Sequence, residues 1–303
     1  MYSKPHASDN ERGYALLTVM VISLIIVVVT MSITSTVRED VRVAIELNDR
    51  NMASLASYSA MNEAIYNILM STFTPYGMSI YKSDGSIEKW NLYGKPLELK
   101  NGITVRARDM GGMLSPLFDP KGLRELIEHT SKDSEKSGRF SDRLSDWQDR
   151  DDMKRLNGAE SYDYRTAGFS YSPRNFFLQV PEELKLIKDF DPSIYQSIEE
   201  DLAYWSGGSR NYLTMSEQTL RALLKNDPLV DTVIRLRENE ELTERIFRDL
   251  TGIPLAEATS FAPSGLIKIE ITAEVGKAVD RIEAVIAKRQ TSKKPFFVAE
   301  WRR

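Results

Sequence analysis

From Gly13 to Val37 the chain reads GYALLTVMVISLIIVVVTMSITSTV, a stretch without one charged side chain. Roughly 20 apolar residues of helix, rising about 1.5 Å each, span a hydrocarbon core. The helical pattern does not stop where the apolar run stops. Val37, Val41, Ala44, Ile45, Leu47, Met52, Leu55, Ala56, Met61, Ala64, Ile65, Ile68 and Leu69 recur mostly at three- and four-residue spacing. Neither proline nor glycine falls between Gly13 and Pro75. This spacing predicts one helix from about Tyr14 to about Met70, with Arg42, Glu46, Asp49 and Arg50 on its wet side. An apolar stripe on a helix leaving a membrane has to be buried, usually against the protein's own globular part.

What precedes the run narrows its meaning. A secretory signal has an apolar core of about 7–15 residues and then a small-x-small cleavage site. Ala15 is too early for that site, and Ser32-Ile33-Thr34-Ser35 is a poor one. Two readings remain on pattern alone. One is a plain bitopic anchor. The other is a prepilin-like signal, cut after Gly13, which leaves Tyr14 as the mature N-terminus. Flanking positive charge is slight: Lys4 and Arg12 before the run, Arg38 beside Glu39 and Asp40 after it. It leans the N-terminus toward the cytoplasm.

The 303 residues leave room beyond the helix for one large domain or two small ones. Net charge is -4 and the pI near 5.5, so no global electrostatic case exists for nucleic acid. The absence of cysteine excludes thiolate catalysis, zinc–thiolate and iron–sulfur chemistry, but not an oxidising compartment. Of the two histidines, His6 lies in the leader and His129 on an exposed-looking helix. No Ser-His-Asp set, HExxH or phosphate-cradling GxxxxGK[ST] occurs, and Gly111-Gly112 and Gly207-Gly208 read as loop glycines. The chain reads as a non-enzyme.

After Pro75-Tyr76-Gly77 the texture becomes strand-like. Leu97 and Leu99, the pair Asn101-Gly102, then Ile103, Val105 and Ala107 predict a hairpin with one buried face. A long helical segment is expected from about Asp119 to about Leu250, made up of a highly charged stretch over 130–155 and then 180–204, 216–224 and 232–250. Period-two alternation returns at Ile267, Ile269, Ile271, Ala273 and Val275, with closing strands over 281–288 and 295–301. The fold class is therefore α+β: a long N-terminal helix and a small antiparallel sheet, interrupted by a large all-α insertion. The expected division is 1–13 leader, 14–72 helix (14–36 transmembrane), 73–115 first sheet part, 116–260 inserted helical domain and 261–303 closing strands.

Asp146, Asp149, Asp151 and Asp152, followed by Gly158, Glu160 and Asp163, gather carboxylates where a loop leaves a helix. Hard oxygen donors at that density suit Ca²⁺, which takes six to eight oxygens at about 2.3–2.6 Å. The spacing is not that of an EF-hand. Arg150, Lys154 and Arg155 could neutralise the same charges, so a solvated charged face is the competing reading. The segments 182–190 and 217–224 faintly suggest helix-hairpin-helix units. Their neighbours Asp189, Asp191, Glu199, Glu200 and Asp201 oppose a polyanion, so these helices are read as protein packing.

A set of landmarks in order resembles one family. The leader Arg12-Gly13 runs into Tyr14-Ala15-Leu16-Leu17-Thr18. Leu144-Ser145-Asp146-Trp147-Gln148-Asp149-Arg150-Asp151-Asp152 follows, then Gly158-Ala159-Glu160 with Tyr162 and Tyr164. Pro173-Arg174-Asn175 leads to Glu182-Glu183-Leu184, with 213–224, 265–275 and 296–301 beyond. Together these resemble the K-type minor pseudopilin of bacterial type II secretion systems, general secretion pathway protein K. The chain departs from the family pattern at Tyr14, at Gly112-Met113-Leu114-Ser115 and at Thr214-Met215-Ser216.

The resemblance implies a pilin-like fold and a tip subunit that initiates or caps the pseudopilus for export of folded periplasmic proteins. It implies prepilin peptidase processing after Gly13, methylation of Tyr14, and a single pass in the bacterial inner membrane with the C-terminal domain periplasmic. Implied partners are the I-type and J-type minor pseudopilins and the major pseudopilin. It also supports calcium at the acidic cluster, with Asp149, Asp151, Asp152, Glu160 and Asp163 as candidate ligands. Thr18 stands at the fifth mature position, where pilin-like proteins normally carry Glu. Without that carboxylate a subunit cannot pair with the α-amine of a protomer above it, as suits a tip. A minor pilin of a type IV pilus, a bitopic scaffold and a membrane-tethered hydrolase are the alternatives.

Overall fold

The computed structural model describes residues 9–100, 102–204, 210–254, 261–289 and 295–303, with backbone alone for 9–13. Lys4, His6, Asn101 and Gly207-Gly208 of the sequence reading lie outside them. One helix, α1 (Asp9–Met70), carries the whole N-terminal part and begins five residues ahead of the expected start at Tyr14. At about 1.5 Å per residue it is roughly 90 Å long. Among the described residues it is the one helix long and apolar enough to cross a membrane. Most of its hydroxyls in the apolar run are satisfied within the helix. Thr18, Ser23, Thr30, Thr34 and Thr36 each donate to the carbonyl four residues back, and Ser35 to the one three back.

Beyond α1 lie two antiparallel sheets. The first is small: β1 (Thr72–Thr74), β2 (Gly77–Tyr81) and β3 (Ile87–Trp90). The second has the order β4-β5-β6-β7-β8, from Leu97–Lys100, Ile103–Asp109, Leu266–Val275, Ala278–Lys288 and Phe296–Arg302. β5 and β6 are neighbours, with Val105 opposite Ile271, although residues 110–265 run between them. The α+β, pilin-like reading holds.

Alternation explains how helix and sheet meet. Val105, Ala107, Ile267, Ile269, Ile271, Ile282, Ala284 and Ile286 form one buried sheet face, onto which Ala60, Met61, Ala64 and Ile68 of α1 pack. The two alanines let the helix approach the sheet closely. The far end of this contact is closed by a glycine. Gly276, at the β6–β7 turn with φ +58°, leaves room for Asp49, whose Oδ2 would lie 2.2 Å from any Cβ there. Asp49 is therefore half-buried rather than on the wet side. At the other end Lys288 Nζ donates to the carbonyls of Ile68 (2.9 Å) and Ser71 (2.6 Å), satisfying orphan acceptors where α1 stops.

Coverage of α1 by its own domain is partial. Ala53 is the first fully buried residue, whereas Val41, Ile45, Leu47 and Met52 stay about half exposed and Leu55 is 63% exposed. The sequence reading put this stripe against the protein's own globular part. The sheet reaches only the last third of the helix, so the stripe above it is bare.

Residues 110–265 are not one continuous helical run. They divide into α2 (Pro120–Ser131), α3 (Ser134–Gln148), α4 (Ser161–Thr166), α5 (Pro192–Ile198), α6 (Glu217–Leu224), α7 (Asp227–Glu238) and α8 (Glu244–Thr251). The expected helix over 180–204 is two 3-10 turns and α5. Each break is specified locally. Asp119, Asp133, Asp191, Ser216, Asn226 and Thr243 accept backbone N–H groups at successive helix starts, and prolines stand in the first turns of α2, α5 and α7. Two apolar cores result, one around Leu123, Leu126, Phe140, Trp147 and Tyr164, the other around Tyr212, Leu220, Val233 and Phe247.

Asp109, the last residue of β5, ties the insertion to the sheet. Its buried carboxylate accepts from Ser264 N–H (2.8 Å) and hydroxyl, Thr214 Oγ1 (3.0 Å) and Asn211 Nδ2 (3.2 Å). Exit from β5, the loop before α6 and re-entry to β6 thus converge on one side chain. Asp109→Ala strands several buried donors and should lower unfolding free energy by about 3 kcal/mol or more in urea titrations. A loss under about 1 kcal/mol would show that the junction is held by other contacts.

Candidate functional site

Two regions carry the sequence-predicted residues. At the first, Gly13 continues the helical backbone of α1 and Tyr14 is well exposed. Thr18, one turn on, donates its hydroxyl to Tyr14 O at 2.8 Å. Its polar demand is met inside its own helix, which a Glu at that depth could not achieve alone.

The second region is the loop 149–160 between α3 and α4. Asp146 lies on the buried face of α3 and is fully buried. Gly158 allows this: a Cβ there would fall 1.7 Å from Asp146 Oδ2. The loop folds back so that Arg155 donates its N–H to Asp146 Oδ2 (3.2 Å) and Nη1 to Asp146 Oδ1 (2.7 Å). The same Nη1 reaches Asp149. Asp149 and then Asp146 hold the Arg155 guanidinium firmly charged. Lys154 pairs with Asp163 at 2.6 Å, and Asp163 also accepts the Glu160 N–H at 3.0 Å, opening α4. Asp151 accepts Met153 N–H at 2.9 Å, and both Asp151 and Asp152 face solvent.

Glu160 is the exception. It is 5% exposed and neither carboxylate oxygen has a partner, nor does Asp149 Oδ1. Burial first, then Asp146, Asp149, Asp152 and Asp151, push its pKa up to about 7. Among the described residues no three carboxylate or imidazole groups are arranged to hold a metal ion together. The donor chemistry nevertheless fits a hard cation, because a buried carboxylate with free oxygens among four other acids lacks a positive partner. Bound there, Ca²⁺ would supply that charge to Glu160 and Asp149.

The sequence landmarks around this loop also meet in space. Trp147 and Tyr164 pack at 5.7 Å between ring centroids, and Tyr164 OH accepts Lys188 N–H at 2.9 Å. Asn175 donates its N–H to Trp147 O at 3.0 Å. Arg174 chelates Glu183 through Nε (2.7 Å) and Nη2 (2.9 Å). Residues 117–207, which contain all of these, match the profile of the family described as type II secretion system protein K. Over that stretch the chain is similar to the protein K family.

No curated protein matches it in sequence. The fold is similar to that of a chain in the crystal structure of the GspK-GspI-GspJ complex from the enterotoxigenic Escherichia coli type 2 secretion system. The TM-score is 0.51 at 14% identity, over 86% of this chain and 98% of that one. The positions at which the chain departs from the family pattern are locally satisfied. Thr214 bonds Asp109, Ser216 caps α6 through Thr219 N–H (3.1 Å), and the Ser115 hydroxyl accepts Leu117 and Phe118 N–H groups.

Of the five candidate ligands, Asp149, Glu160 and Asp163 border the loop interior, while Asp151 and Asp152 do not. Sequence reasoning placed Asp146 in the cluster but not at its buried centre, and it left open which of Arg150, Lys154 and Arg155 turned inward. The signal for both was Gly158, the one residue with space for Asp146.

Glu160 sets a pH dependence. Between its ordinary value of 4.5 and about 7 the folded chain holds a proton that the unfolded chain has released. Stability from this group is therefore greatest below pH 4.5, falls as pH rises toward 7, and is flat above. Glu160→Gln should remove that slope and leave the variant about 1–2 kcal/mol more stable than the parent at pH 8, without divalent ions. Urea unfolding at pH 5, 6, 7 and 8 checks it. An unchanged slope in the variant would contradict the assignment.

Proposed function

We propose that this protein is the tip minor pseudopilin of a type II secretion pseudopilus, initiating or capping its assembly. In this reading α1 anchors it in the bacterial inner membrane as a single pass, N-terminus cytoplasmic and C-terminal domain periplasmic. Prepilin peptidase cuts after Gly13, and Tyr14 is methylated. The I-type and J-type minor pseudopilins and the major pseudopilin are its partners, the first two in line with the complex that holds its structural neighbour. It catalyses no reaction.

One observation carries this reading: the bare apolar stripe of α1 between Val41 and Leu55, above the segment that its own sheet covers. A stripe of that kind outside the lipid calls for another helix. Thr18 supports the tip position, because it contributes no carboxylate to pair with an amine above and its hydroxyl is already bonded to Tyr14 O.

The chain has no cysteine, so introduced ones report cleanly. Leu47→Cys and Leu55→Cys should crosslink to cysteines on the helices of I-type or J-type subunits in membranes carrying the assembled system. Ala64→Cys, buried against the protein's own sheet, should not. Equal crosslinking from Leu55→Cys and Ala64→Cys would sink the packing proposal.

The acidic loop is proposed to take Ca²⁺ at Asp149, Glu160 and Asp163, with Asp151 and Asp152 able to turn in from the rim. The unpartnered oxygens of Glu160 support this. Millimolar Ca²⁺ should raise the urea midpoint of the parent at pH 8 and leave that of Glu160→Gln unmoved. An identical rise in both would place the ion elsewhere.

A further inference from the structure

A cleft of about 270 Å³ lies between the three-stranded sheet and α7, walled by Tyr76, Trp90 and Tyr93, with Lys89 and Lys95 at its sides and Arg237 among its lining residues. Arg237 is 4% exposed, an expensive place for a charge. Its guanidinium carbon lies 3.9 Å from the Tyr93 ring centroid, a stacked cation–π contact. Nη1 donates to Met215 O (2.7 Å) and Leu213 O (3.4 Å). Among the described residues no carboxylate pairs with it. Glu238 is held by Lys95 at 2.9 Å and Glu240 by Lys89 at 2.6 Å. The charges lining the cleft therefore cancel except for that of Arg237.

The geometry of the remaining donors is specific. Nε is buried with no partner, and no bond is made by Nη2. Those two N–H groups form the side-on edge of a guanidinium, the edge that fits both oxygens of one carboxylate. Elsewhere the chain closes that edge in this way. Arg174 chelates Glu183 through Nε and Nη2, and Arg210 chelates Asp119 through the same atoms at 2.6 and 2.7 Å. Arg237 has the same edge, is buried more deeply than either and adjoins a cleft, but among the described residues it has no acid of its own.

We infer that the cleft between the three-stranded sheet and α7 binds a carboxylate, chelated by Nε and Nη2 of Arg237 and flanked by the rings of Tyr76 and Tyr93. The carboxylate is carried either on a free small anion or on the C-terminal residue of a peptide. Rings on the walls favour a ligand with some apolar body, and the volume holds about one residue. Lys89 and Lys95 give a second layer of positive charge that becomes available if their own acids swing away.

Calorimetric titration of the full chain in detergent tests this with three probes: succinate, acetyl-Gly-Leu-Phe with a free C-terminus, and the same peptide amidated. The free-acid peptide, succinate or both should bind, and the amide at least tenfold more weakly than its acid. Succinate alone would identify a small-anion site, and the peptide acid alone a C-terminus site. Arg237→Lys keeps the charge but loses the side-on edge, and should weaken binding at least tenfold. Lys95→Gln, on the exposed rim, should weaken it less than Arg237→Lys. Because Arg237→Lys could fail to fold, the acid-against-amide comparison on the unaltered protein stands by itself. No binding of either acid at millimolar concentration, equal binding of acid and amide, or a folded Arg237→Lys that binds as well as the parent would overturn the inference.

Discussion

Everything in this molecule depends on one helix serving three environments in succession. From Tyr14 to Val37 it has no charge, and most of its hydroxyls there bond back to their own helix, so it asks little that is polar of lipid. Its last segment, from Ala53 to Ile68, presents small and apolar residues to a sheet whose facing residues alternate with solvent-facing ones. Between them lies a stripe too polar for lipid and too apolar for water. The proposed assembly role rests on this stripe, which a helix of a second molecule would bury.

The sheet that receives the helix is split in sequence by the helical insertion, so its two halves must be brought back into register. Pairing of Val105 with Ile271 and of Arg106 with Glu270 does so along the strands. Asp109 does so at the junction, where its carboxylate gathers donors from two other stretches of chain. Burying that charge is tolerable because it is surrounded by donors. The acidic loop is the counterexample within the same chain. Arg155 satisfies Asp146 and one oxygen of Asp149, while Glu160 is left without a partner and holds its proton up to about pH 7.

Long periodic elements were legible from residues alone. α1 reads from its spacing, and β5 and β6 from strict alternation, because one buried face imposes a period that nothing else in the sequence disturbs. The three-stranded sheet was not legible, since β1 and β3 are three and four residues long and too short to display a period. The broken helices over 180–204 were read as continuous because their apolar positions suit a helix. Asp191 and Pro192 start a new element there, and that capping signal outweighed the period. The acidic cluster was visible as composition, and the resemblance to protein K pointed to it. Which acids turn inward was set by the path of the loop at Gly158, which spacing does not reveal. Arg237 was invisible as a site, because only the fold shows that no acid reaches its side-on edge.

The account rests on α1 being retained from Tyr14 onward in a processed, membrane-held subunit. Intact mass and N-terminal sequencing of the protein from bacterial membranes with an active prepilin peptidase test this most directly. The account predicts a chain that begins at methylated Tyr14 and keeps the apolar run. A chain that begins at Met1 in those membranes would contradict it and leave a plain membrane anchor in its place.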